Sequence, residues 1–448
     1  MLKELLKPEI QELIEHRKWT DLKITLSDWP APEIADLLLD LEKSDRVLVF
    51  RALPRDISSE VFSYLAYEQR DSLLFDLTDD ETKALLTDLS PDDRTDVLEE
   101  LPAKVTKRLL MLLSPDDLKE ARDLLGYPET SIGREMTPDF VAIRKDWTVD
   151  DAIAHIRLFG KDSETINRIY VVDDDGMLLD DILLRYIILA QKDELVEHLM
   201  DYNVISISAF DDQEKAVRIM EKYDISVLPV VDSEGHLVGI VTFDDIMDIS
   251  QEENTEDFHK ISAINPVESG YLYASIWRLC VKRFPWLFLL MFASSLTSGL
   301  ISLYNNVIQS FIALTFFLPM LIGTAGNTGT QSATLIVRAL AIDEVQLKDW
   351  FKVFMKELFI GLILGAVLGS FTYLRGYLQG HHEFNLALII GVSMTLLVLW
   401  ANLLGALLPL LLKRLKLDPA VVSSPFIATL IDATGILIYF HVAMFVLE

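Results

Sequence analysis

Five long apolar segments in the C-terminal part of the chain limit its fold more than any other feature. Each is long enough to cross the ~30 Å hydrocarbon core of a bilayer as an α-helix, which needs about 20 residues. A segment in lipid must satisfy its own backbone hydrogen bonds, and a helix does so within itself. The segments cover residues 284–304, 311–340, 354–377, 386–412 and 420–447. The sequence therefore predicts an α-helical membrane domain with five spans.

Charge separates this membrane domain from the rest of the chain. Acidic and basic residues are equal in number from residue 284 onward, so the whole net charge of −29 belongs to the first 283 residues. A strongly acidic region repels nucleic acid and attracts cations. We therefore expect divalent cations and a membrane as partners, and no nucleic acid. The single cysteine, Cys280, excludes a disulfide within the chain.

The first 130 residues contain a leucine repeat. Leucines recur every twelve residues from Leu53 to Leu113, and Ser90 and Ser114 each precede Pro-Asp-Asp, a typical helix start. A fixed period of short helices that bury one another's apolar faces predicts an all-α superhelical domain over residues 1–130. In the simplest interpretation the acids of this domain are cap residues or solvated surface residues.

Residues 131–250 contain two copies of a strand–turn–strand–helix pattern. The strands beginning Arg168-Ile-Tyr-Val-Val and Val227-Leu-Pro-Val-Val match, and an acidic turn follows each of them. The pattern resembles a tandem pair of α/β CBS domains, with residues 131–199 as CBS domain 1 and 200–250 as CBS domain 2. The helices predicted within the two copies cover residues 149–159 and 212–223.

CBS pairs resemble adenine-nucleotide sensors in which a final Thr-x-x-Asp contacts a ribose. The matching residues here are Thr242 and Asp245, so the resemblance implies ATP as a candidate ligand of the CBS domains. The first copy departs from this pattern. Asp180 stands where the second copy has Gly239, and Tyr186 stands where it has Asp245.

An acid-rich connecting helix is predicted over residues 251–274, and a pore domain over 275–448. The short loops of the pore domain set its orientation, because cytoplasmic loops are enriched in Lys and Arg. Only Arg375 lies in a loop on one side. The basic residues on the other side are Arg278, Lys282, Arg283, Arg338, Lys348, Lys352, Lys356, Lys413, Arg414 and Lys416. This predicts a cytoplasmic N-terminus and an external C-terminus in a bacterial-type inner (plasma) membrane.

Asp432 lies in the last apolar segment, which contains no basic residue. An ionised carboxylate near the bilayer centre costs ~2.5–3.5 kcal/mol on insertion scales, so it should face a cavity, a partner or an ion. The two interpretations are a cation pathway and a structural hydrogen bond to a neighbouring helix. In the second segment, the glycines around Asn327 and Gln331 permit tight helix packing, or a local break whose carbonyls face an ion.

Two membrane motifs, Gly326-Asn-Thr-Gly-Thr-Gln-Ser-Ala-Thr and Ala428-Thr-Leu-Ile-Asp-Ala-Thr-Gly, follow the acidic helical domain and the CBS pair. In this order the features resemble the MgtE family of magnesium channels over nearly the full length. The resemblance implies a homodimer whose two Asp432 carboxylates and Ala428 carbonyls face one hydrated Mg²⁺. Such an arrangement suits an ion that sheds water reluctantly and prefers octahedral oxygen ligands. The resemblance implies that the pore is also lined by Asn327, Gln331, Ser424 and Thr429, with Ser424 where the family has Asn.

The resemblance further implies that cytosolic Mg²⁺ binds to the soluble region and closes the pore. The positions that match the family's ligands are Glu60, Asp92, Asp96, Glu214, Asp224, Asp245, Asp248, Glu253, Glu256, Asp257 and Asp418. Each alone is an ordinary surface acid, and Asp245 suits either a metal or a ribose. A region with a charge of −29 should open without counter-ions and close around divalent cations.

These observations favour a Mg²⁺-selective channel that imports magnesium down its electrochemical gradient. One alternative is a secondary transporter that couples Mg²⁺ to Na⁺ or H⁺, although only one acid is predicted to lie deep in the membrane part. The other is a membrane-anchored CBS-type sensor without transport. Enzyme activity is not expected, because the sequence contains no nucleophile–base set, P-loop or His/Cys metal cluster.

Overall fold

The computed structural model describes residues 2–65, 67–266, 271, 274–379, 383–419 and 424–447. The chain divides into two compact units, Met1–Glu253 and Asn254–Glu448. The first unit combines a helical array with two small sheets, and the described part of the second has helices as its regular elements. The predicted fold class is therefore confirmed: a superhelical domain, an α/β tandem pair and a helical C-terminal region.

The N-terminal part of the first unit is an array of short helices. They are α1 (Leu2–Glu15), α2 (Trp19–Ser27), α3 (Ala31–Leu39), α4 (Lys43–Ala52), α5 (Arg55–Ser63), α6 (Tyr67–Asp76), α7 (Asp79–Asp88), α8 (Pro91–Glu100), α9 (Ala103–Leu110) and α10 (Pro115–Leu124). Alternate helices pack on one another, as α3 does on α5 and α5 on α7, and this stacking builds the superhelix. The repeated leucines from Leu53 to Leu113 are at most 8% exposed, so the repeat marks the buried positions.

The two predicted helix caps differ. The Ser114 side chain accepts a hydrogen bond from the backbone N–H of Asp117 at 3.2 Å, which satisfies one of the unpaired donors at the start of α10. Ser90 occupies the equivalent position before α8 but makes no such capping bond.

The second part of the first unit contains two three-stranded sheets. The first has the order β1 (Ala142–Arg144), β2 (Arg168–Val172), β3 (Leu178–Leu183), and the second β4 (Ile207–Ser208), β5 (Val227–Val231), β6 (Leu237–Thr242). In both sheets the first pair is parallel and the second antiparallel. The accompanying helices are α11 (Val149–Phe159), α12 (Leu184–Leu189) and α13 (Gln213–Tyr223). The predicted duplication is confirmed.

The antiparallel registers place Asp180 and Gly239 at equivalent positions of the two copies. Their neighbours explain why the residues differ. A Cβ at Gly239 would lie 2.7 Å from the Met136 sulfur and 2.9 Å from the Thr137 carbonyl oxygen, so a side chain there would force Met136 and the backbone at Thr137 to shift. The buried Asp180 carboxylate instead accepts the backbone N–H groups of Asp201 and Tyr202, at 2.7 and 3.0 Å. The first copy therefore uses this position to fasten the segment that leads into the second.

The connecting helix, α14 (Phe243–Ile261), begins directly after β6 and not at residue 251 as the sequence suggested. It begins early because the Asp245 carboxylate accepts the backbone N–H of Thr242 at 3.1 Å, and because Asp244 and Asp245 lie at the positive end of the helix dipole. Residues 267–270, 272 and 273 of the predicted connector lie outside the described residues.

The remaining helices of the second unit are α15 (Ile276–Leu303), α16 (Asn305–Ser310), α17 (Ala313–Ala341), α18 (Trp350–Gln379), α19 (Phe384–Arg414) and α20 (Ser424–Leu447). Among the described residues, three helices are long and apolar enough to cross a membrane: α15, α19 and α20. Helices α17 and α18, of 29 and 30 residues, cover the second and third predicted segments, and the count of five spans stays a prediction. Residues 420–423 of the fifth segment lie outside the described ranges.

Helix α17 is continuous, although it contains Pro319 and three glycines between residues 323 and 329. The local break that these residues would permit is therefore not formed. Gly329 serves close packing instead, because a Cβ there would clash with Ile431, whereas a Cβ on Gly323 would meet no described atom within 4 Å. Helices α17, α19 and α20 pack on one another, and α18 packs along α19.

Candidate functional site

Glycines bring α17 and α20 into close contact at the two predicted membrane motifs. A Cβ built on Gly326 would lie 3.8 Å from the Ala428 side chain, and one built on Gly329 would clash with Ile431. One built on Gly435 would lie 3.0 Å from Ile322. The two helices therefore run past each other in opposite directions, with the glycine motif of α17 beside the segment of α20 that carries Asp432.

Asp432 lies in this contact region and is half-buried. No described residue donates a hydrogen bond to its carboxylate or pairs with it. The neighbouring hydroxyls do not turn toward it, since Thr429 donates to the Pro425 carbonyl and Thr434 to the Leu430 carbonyl, both at 2.8 Å. The carboxylate is thus left for water or an ion.

The other predicted pore residues lie on or near the same helices. Asn327 and Gln331 are one helical turn apart on α17, and both are exposed in the single chain. Ser424 is the first residue of α20 and is half-buried. The Ala428 carbonyl lies inside α20, where it accepts a helical hydrogen bond, so only its second lone pair remains for an ion.

A second buried carboxylate, Glu357 on α18, was not singled out from the sequence. It is 7% exposed. Its Oε2 lies 2.6 Å from Asn402 Nδ2 on α19 and 3.2 Å from Ser332 Oγ on α17. The expectation that the membrane part holds only one deeply placed acid is therefore wrong. A sequence signal existed, because Glu357 and Asn402 both lie inside predicted apolar segments.

Acids of the N-terminal helices and of the second sheet copy form one electrostatic cluster in the first unit. Burial, reinforced by repulsion from Asp92 and Asp244, raises the pKa of Asp245 to about 8. Burial also raises the pKa values of Asp92 and Asp248, each with a contribution from Asp244. Glu60 belongs to the same surroundings, since burial and then the charges of Glu60, Asp244 and Asp248 raise the pKa of Tyr64.

Sequence reasoning missed several members of this acidic cluster. Burial and the charge of Asp92 raise the pKa of Asp93 to about 6. Burial and the charges of Glu252, Glu99 and Asp92 raise the pKa of Glu135 to about 7, and burial and Glu135 in turn raise that of Asp96. Asp93 looked like a helix-cap residue in the sequence, and Glu135 lies outside every motif.

One oxygen of the cluster stands out. Asp92 Oδ1 is buried and has no hydrogen-bond partner among the described residues. A buried carboxylate oxygen without a donor is costly, so a ligand is expected to satisfy it. In the described ranges, no three His, Cys, Asp or Glu side chains converge closely enough to form a metal-binding group.

Two of the other predicted metal ligands in the soluble region make hydrogen bonds to neighbouring side chains. Glu214 accepts from Arg218 at 2.5 Å, and Glu253 accepts from Gln213 at 2.8 Å. Asp224 takes a left-handed conformation at the end of α13, with φ of 52°. Asp257 belongs to α14.

In the second unit, the Lys260 ammonium lies between two predicted ligands. Its Nζ is 2.8 Å from both Glu256 Oε1 and Asp418 Oδ2. Burial lowers the pKa of Lys260, but the hydrogen bonds of Asp418 and Glu256 outweigh it, so that the pKa is raised overall. A divalent ion at this place would have to displace the ammonium.

A cavity of about 300 Å³ lies between the two sheet copies. Arg168, Asp181, Tyr186, Asn203 and Pro229 are among its lining residues. Tyr186 is the first-copy equivalent of Asp245, so the cavity lies at the copy that lacks the Thr-x-x-Asp pattern. The predicted ribose contacts do not line it. The Thr242 hydroxyl lies 2.6 Å from Asp245 Oδ2 within the chain.

Three family models match consecutive parts of this chain. Family models match the MgtE intracellular N domain at residues 29–130, the CBS domain at 130–192 and 196–252, and MgtE, described as a divalent cation transporter, at 318–442. The magnesium transporter MgtE of Thermus thermophilus is 44% identical over 329 residues, which are 73% of each chain. That of Bacillus subtilis is 35% identical over 330 residues, 72% of this chain and 71% of the relative.

A solved structure is also similar to the first unit. It is the crystal structure of the cytosolic domain of the Mg²⁺ channel MgtE in complex with ATP, with a TM-score of 0.52 and 35% identity. The match covers 54% of this chain and 98% of that one. Three family models match in the expected order, and the relatives match most of the chain. The chain therefore belongs to the MgtE family of divalent cation transporters, which are membrane proteins and not enzymes.

Proposed function

We propose that this protein is a Mg²⁺-selective ion channel that imports magnesium down its electrochemical gradient. The observation that carries the proposal is Asp432, a carboxylate inside apolar α20 that no described residue satisfies. A cation is the partner that such a group lacks. Entry of a divalent ion at a membrane potential of 100 mV is favourable by ~4.6 kcal/mol, so no coupled ion is needed.

The pore we propose lies on the two-fold axis of a homodimer, with Asp432 from each copy facing one ion. Mg²⁺ usually keeps several waters and is held by one or two carboxylates, which this arrangement supplies. Asn327 and Gln331 support the dimer, because their amides are exposed in the single chain although α17 lies among the other helices. In the dimer they would line the pore with the Ala428 carbonyl, Ser424 and Thr429.

Cytosolic Mg²⁺ closes the channel in this proposal, by binding to the acidic cluster of the first unit. The raised pKa values of Asp93, Glu135 and Asp245 support a regulatory site, because they report carboxyls that are buried and repelled by neighbouring acids, whose charged forms a cation would stabilise. The unpartnered oxygen of Asp92 marks where a cation would be most favourable. Helix α14 continues without a break from the second sheet copy into the second unit, so it can carry the change.

The proposed orientation keeps the N-terminus in the cytoplasm and the C-terminus outside, in the inner (plasma) membrane. It follows from the basic loops of the pore domain.

ATP is the ligand we propose for the cavity between the sheet copies. Arg168 pairs with Asp181 at that cavity, and a bound nucleotide would replace this pair with contacts to its phosphate and ribose; a similar structure contains ATP.

A secondary transporter that couples Mg²⁺ to Na⁺ or H⁺ is the second candidate. The observation that favours it is Glu357, a second acid inside the helical unit. Its hydrogen-bond donors are already supplied by Asn402 and Ser332, so it is less suited than Asp432 to hold an ion.

Electrical recording separates these candidates. Purified full-length protein in a planar bilayer should give unitary Mg²⁺ currents that disappear as Mg²⁺ rises on the side of the first unit. Asp432→Asn should abolish them, whereas Glu344→Gln, an exposed acid of the same unit, should not. Uptake that requires a Na⁺ or H⁺ gradient, without unitary currents, would identify a carrier. Full conductance in Asp432→Asn would remove the pore assignment.

A further inference from the structure

Glu357 joins three helices through one carboxylate. Its Oε2 lies 2.6 Å from Asn402 Nδ2 on α19 and 3.2 Å from Ser332 Oγ on α17. Asn402 also donates to the Glu357 backbone carbonyl at 2.9 Å, and Ser332 lies 3.0 Å from the Asn402 carbonyl. All three residues are at most 7% exposed. We call this group the polar node.

The polar node is built to hold a carboxylate and not a cation. The contact with the Glu357 backbone carbonyl requires a donor, which fixes the Asn402 amide with its NH₂ group toward Glu357. Both protons of that NH₂ are then directed at oxygens of Glu357. A metal ion beside Oε2 would face N–H protons where it needs oxygen lone pairs. The node therefore satisfies a buried acid by hydrogen bonds, as a structural network does.

The node lies beside a close approach of α17 and α19. A Cβ on Gly405 of α19 would lie 2.2 Å from the Gly329 carbonyl of α17, and Ser332 follows Gly329 by one turn. Glycine contacts let two backbones come close but leave few side chains to interlock them. The Ser332 hydroxyl, whose single proton is shared between Glu357 Oε2 and the Asn402 carbonyl, therefore adds a directional contact to the apolar packing that sets the rotation of α17 about its own axis.

That rotation decides where α17 presents its polar residues. Gln331 precedes Ser332 by one residue, so the two side chains point about 100° apart around the helix axis. Asn327 is on the Gln331 face. When the node holds Ser332 between α18 and α19, it directs the Asn327 and Gln331 amides away from the helix core.

We propose that Glu357 is a positioning residue for ion permeation, which acts through Ser332 and Asn402 to fix the face of α17 that carries Asn327 and Gln331. The inference rests on the proposed pore beside α17 and α20. Glu357 itself does not contact the ion. Its carboxylate acts as a hydrogen-bond acceptor, and its charge is not the property that transport uses.

Substitution at residue 357 separates these two properties. Glutamine keeps an acceptor oxygen at the same reach and removes the charge, whereas alanine removes both. We expect Glu357→Gln to retain most Mg²⁺ uptake in proteoliposomes. Glu357→Ala should lower uptake on the order of tenfold, as loss of an orienting partner around metal ligands typically does, and should lower the Mg²⁺ to Ca²⁺ uptake ratio. The ratio is the informative readout, since a merely less stable protein lowers both rates equally.

Ser332→Ala provides a milder second variant if Glu357→Ala does not fold, and it should shift the ratio in the same direction. The matched control is Ser393→Ala on α19, because Ser393 is buried and its hydroxyl has no partner in the described part of the chain. It should leave uptake and ratio unchanged.

Loss of uptake in Glu357→Gln as complete as in Glu357→Ala would overturn the inference and make Glu357 an ion- or proton-binding acid. An unchanged ratio in Glu357→Ala and Ser332→Ala would overturn it as well. Asp432→Asn tests the pore independently. If that variant transports normally the pore assignment fails, whereas unaffected Glu357 variants beside an inactive Asp432→Asn would refute the positioning role alone.

Discussion

Replacing one carboxyl of the acidic cluster by a neutral amide should stabilise the first unit in the absence of Mg²⁺. Asp245 is the residue of choice, since burial and the charges of Asp92 and Asp244 raise its pKa from 3.8 to about 8. At neutral pH its folded form must take up a proton that the unfolded form does not hold. Asp245→Asn removes this requirement and keeps the shape of the side chain.

The size of the effect follows from the pKa shift. At 1.36 kcal/mol per pH unit, holding Asp245 protonated at pH 7 costs the folded state about 4 kcal/mol. The substitution weakens the contact with Thr242, which is worth about 1 kcal/mol, and relaxation of the surroundings of Asp245 offsets part of the remainder. We therefore expect a net stabilisation of about 2 kcal/mol, or about 30-fold slower local opening.

Hydrogen exchange measured by mass spectrometry reports this opening locally in the full-length protein. Peptides covering residues 90–100 and 240–250 should exchange about 30-fold more slowly in Asp245→Asn than in the wild type in EDTA. In saturating Mg²⁺ the wild type should gain more protection than the variant, because the variant has lost a ligand. Asp146→Asn, an exposed acid of the same unit, is the control and should change neither. Equal or faster exchange of Asp245→Asn in EDTA would show that holding Asp245 protonated does not destabilise the cluster.

Two further outcomes follow from the same electrostatics. In EDTA, the protection factor of the wild-type cluster, from which the intrinsic rise of amide exchange with pH has been divided out, should fall as pH rises from 6 to 8. The reason is that the folded pKa values of Glu135 and Asp245, about 7 and about 8, lie above the unfolded ones, so their stabilising protons are lost over this range; a constant protection factor would contradict it. Lys260→Met should lower the Mg²⁺ concentration that half-closes the channel, because the ammonium no longer competes for Glu256 and Asp418; a higher midpoint in bilayer recordings would instead make Lys260 part of the closure.

Periodic features could be predicted from the sequence because burial is periodic. The leucine repeat and the duplicated strands each follow from the need to bury one side of every element, and the buried leucines from Leu53 to Leu113 bear this out. The start of the connecting helix was predicted too late, because it depends on the cap that Asp245 makes with Thr242. The sequence signal of such a cap is weaker than the signal of the run of acids that follows it.

Contacts between distant helices could not be predicted in the same way. Glu357 is 25 residues from Ser332 and 45 from Asn402, and their meeting depends on how three helices are rotated. Apolar segments such as these carry almost no rotational signal, since their surfaces are apolar on nearly every side. Within the first unit, Glu214 could have been recognised as paired, because Arg218 follows it by one helical turn.

Asp432 and Glu357 show how the surroundings of a carboxylate inside the helices determine whether it binds an ion or holds the helices in place. A carboxylate in an apolar surrounding must be satisfied by donors, by a proton or by a cation. Glu357 receives its donors from Asn402 and Ser332, and the fixed orientation of the amide leaves no place for an ion. Asp432 receives none from the described residues, and the hydroxyls of Thr429 and Thr434 are engaged with the backbone of α20. The unsatisfied acid is the one from which conduction is expected, and the satisfied acid is the one expected to hold the helices around it.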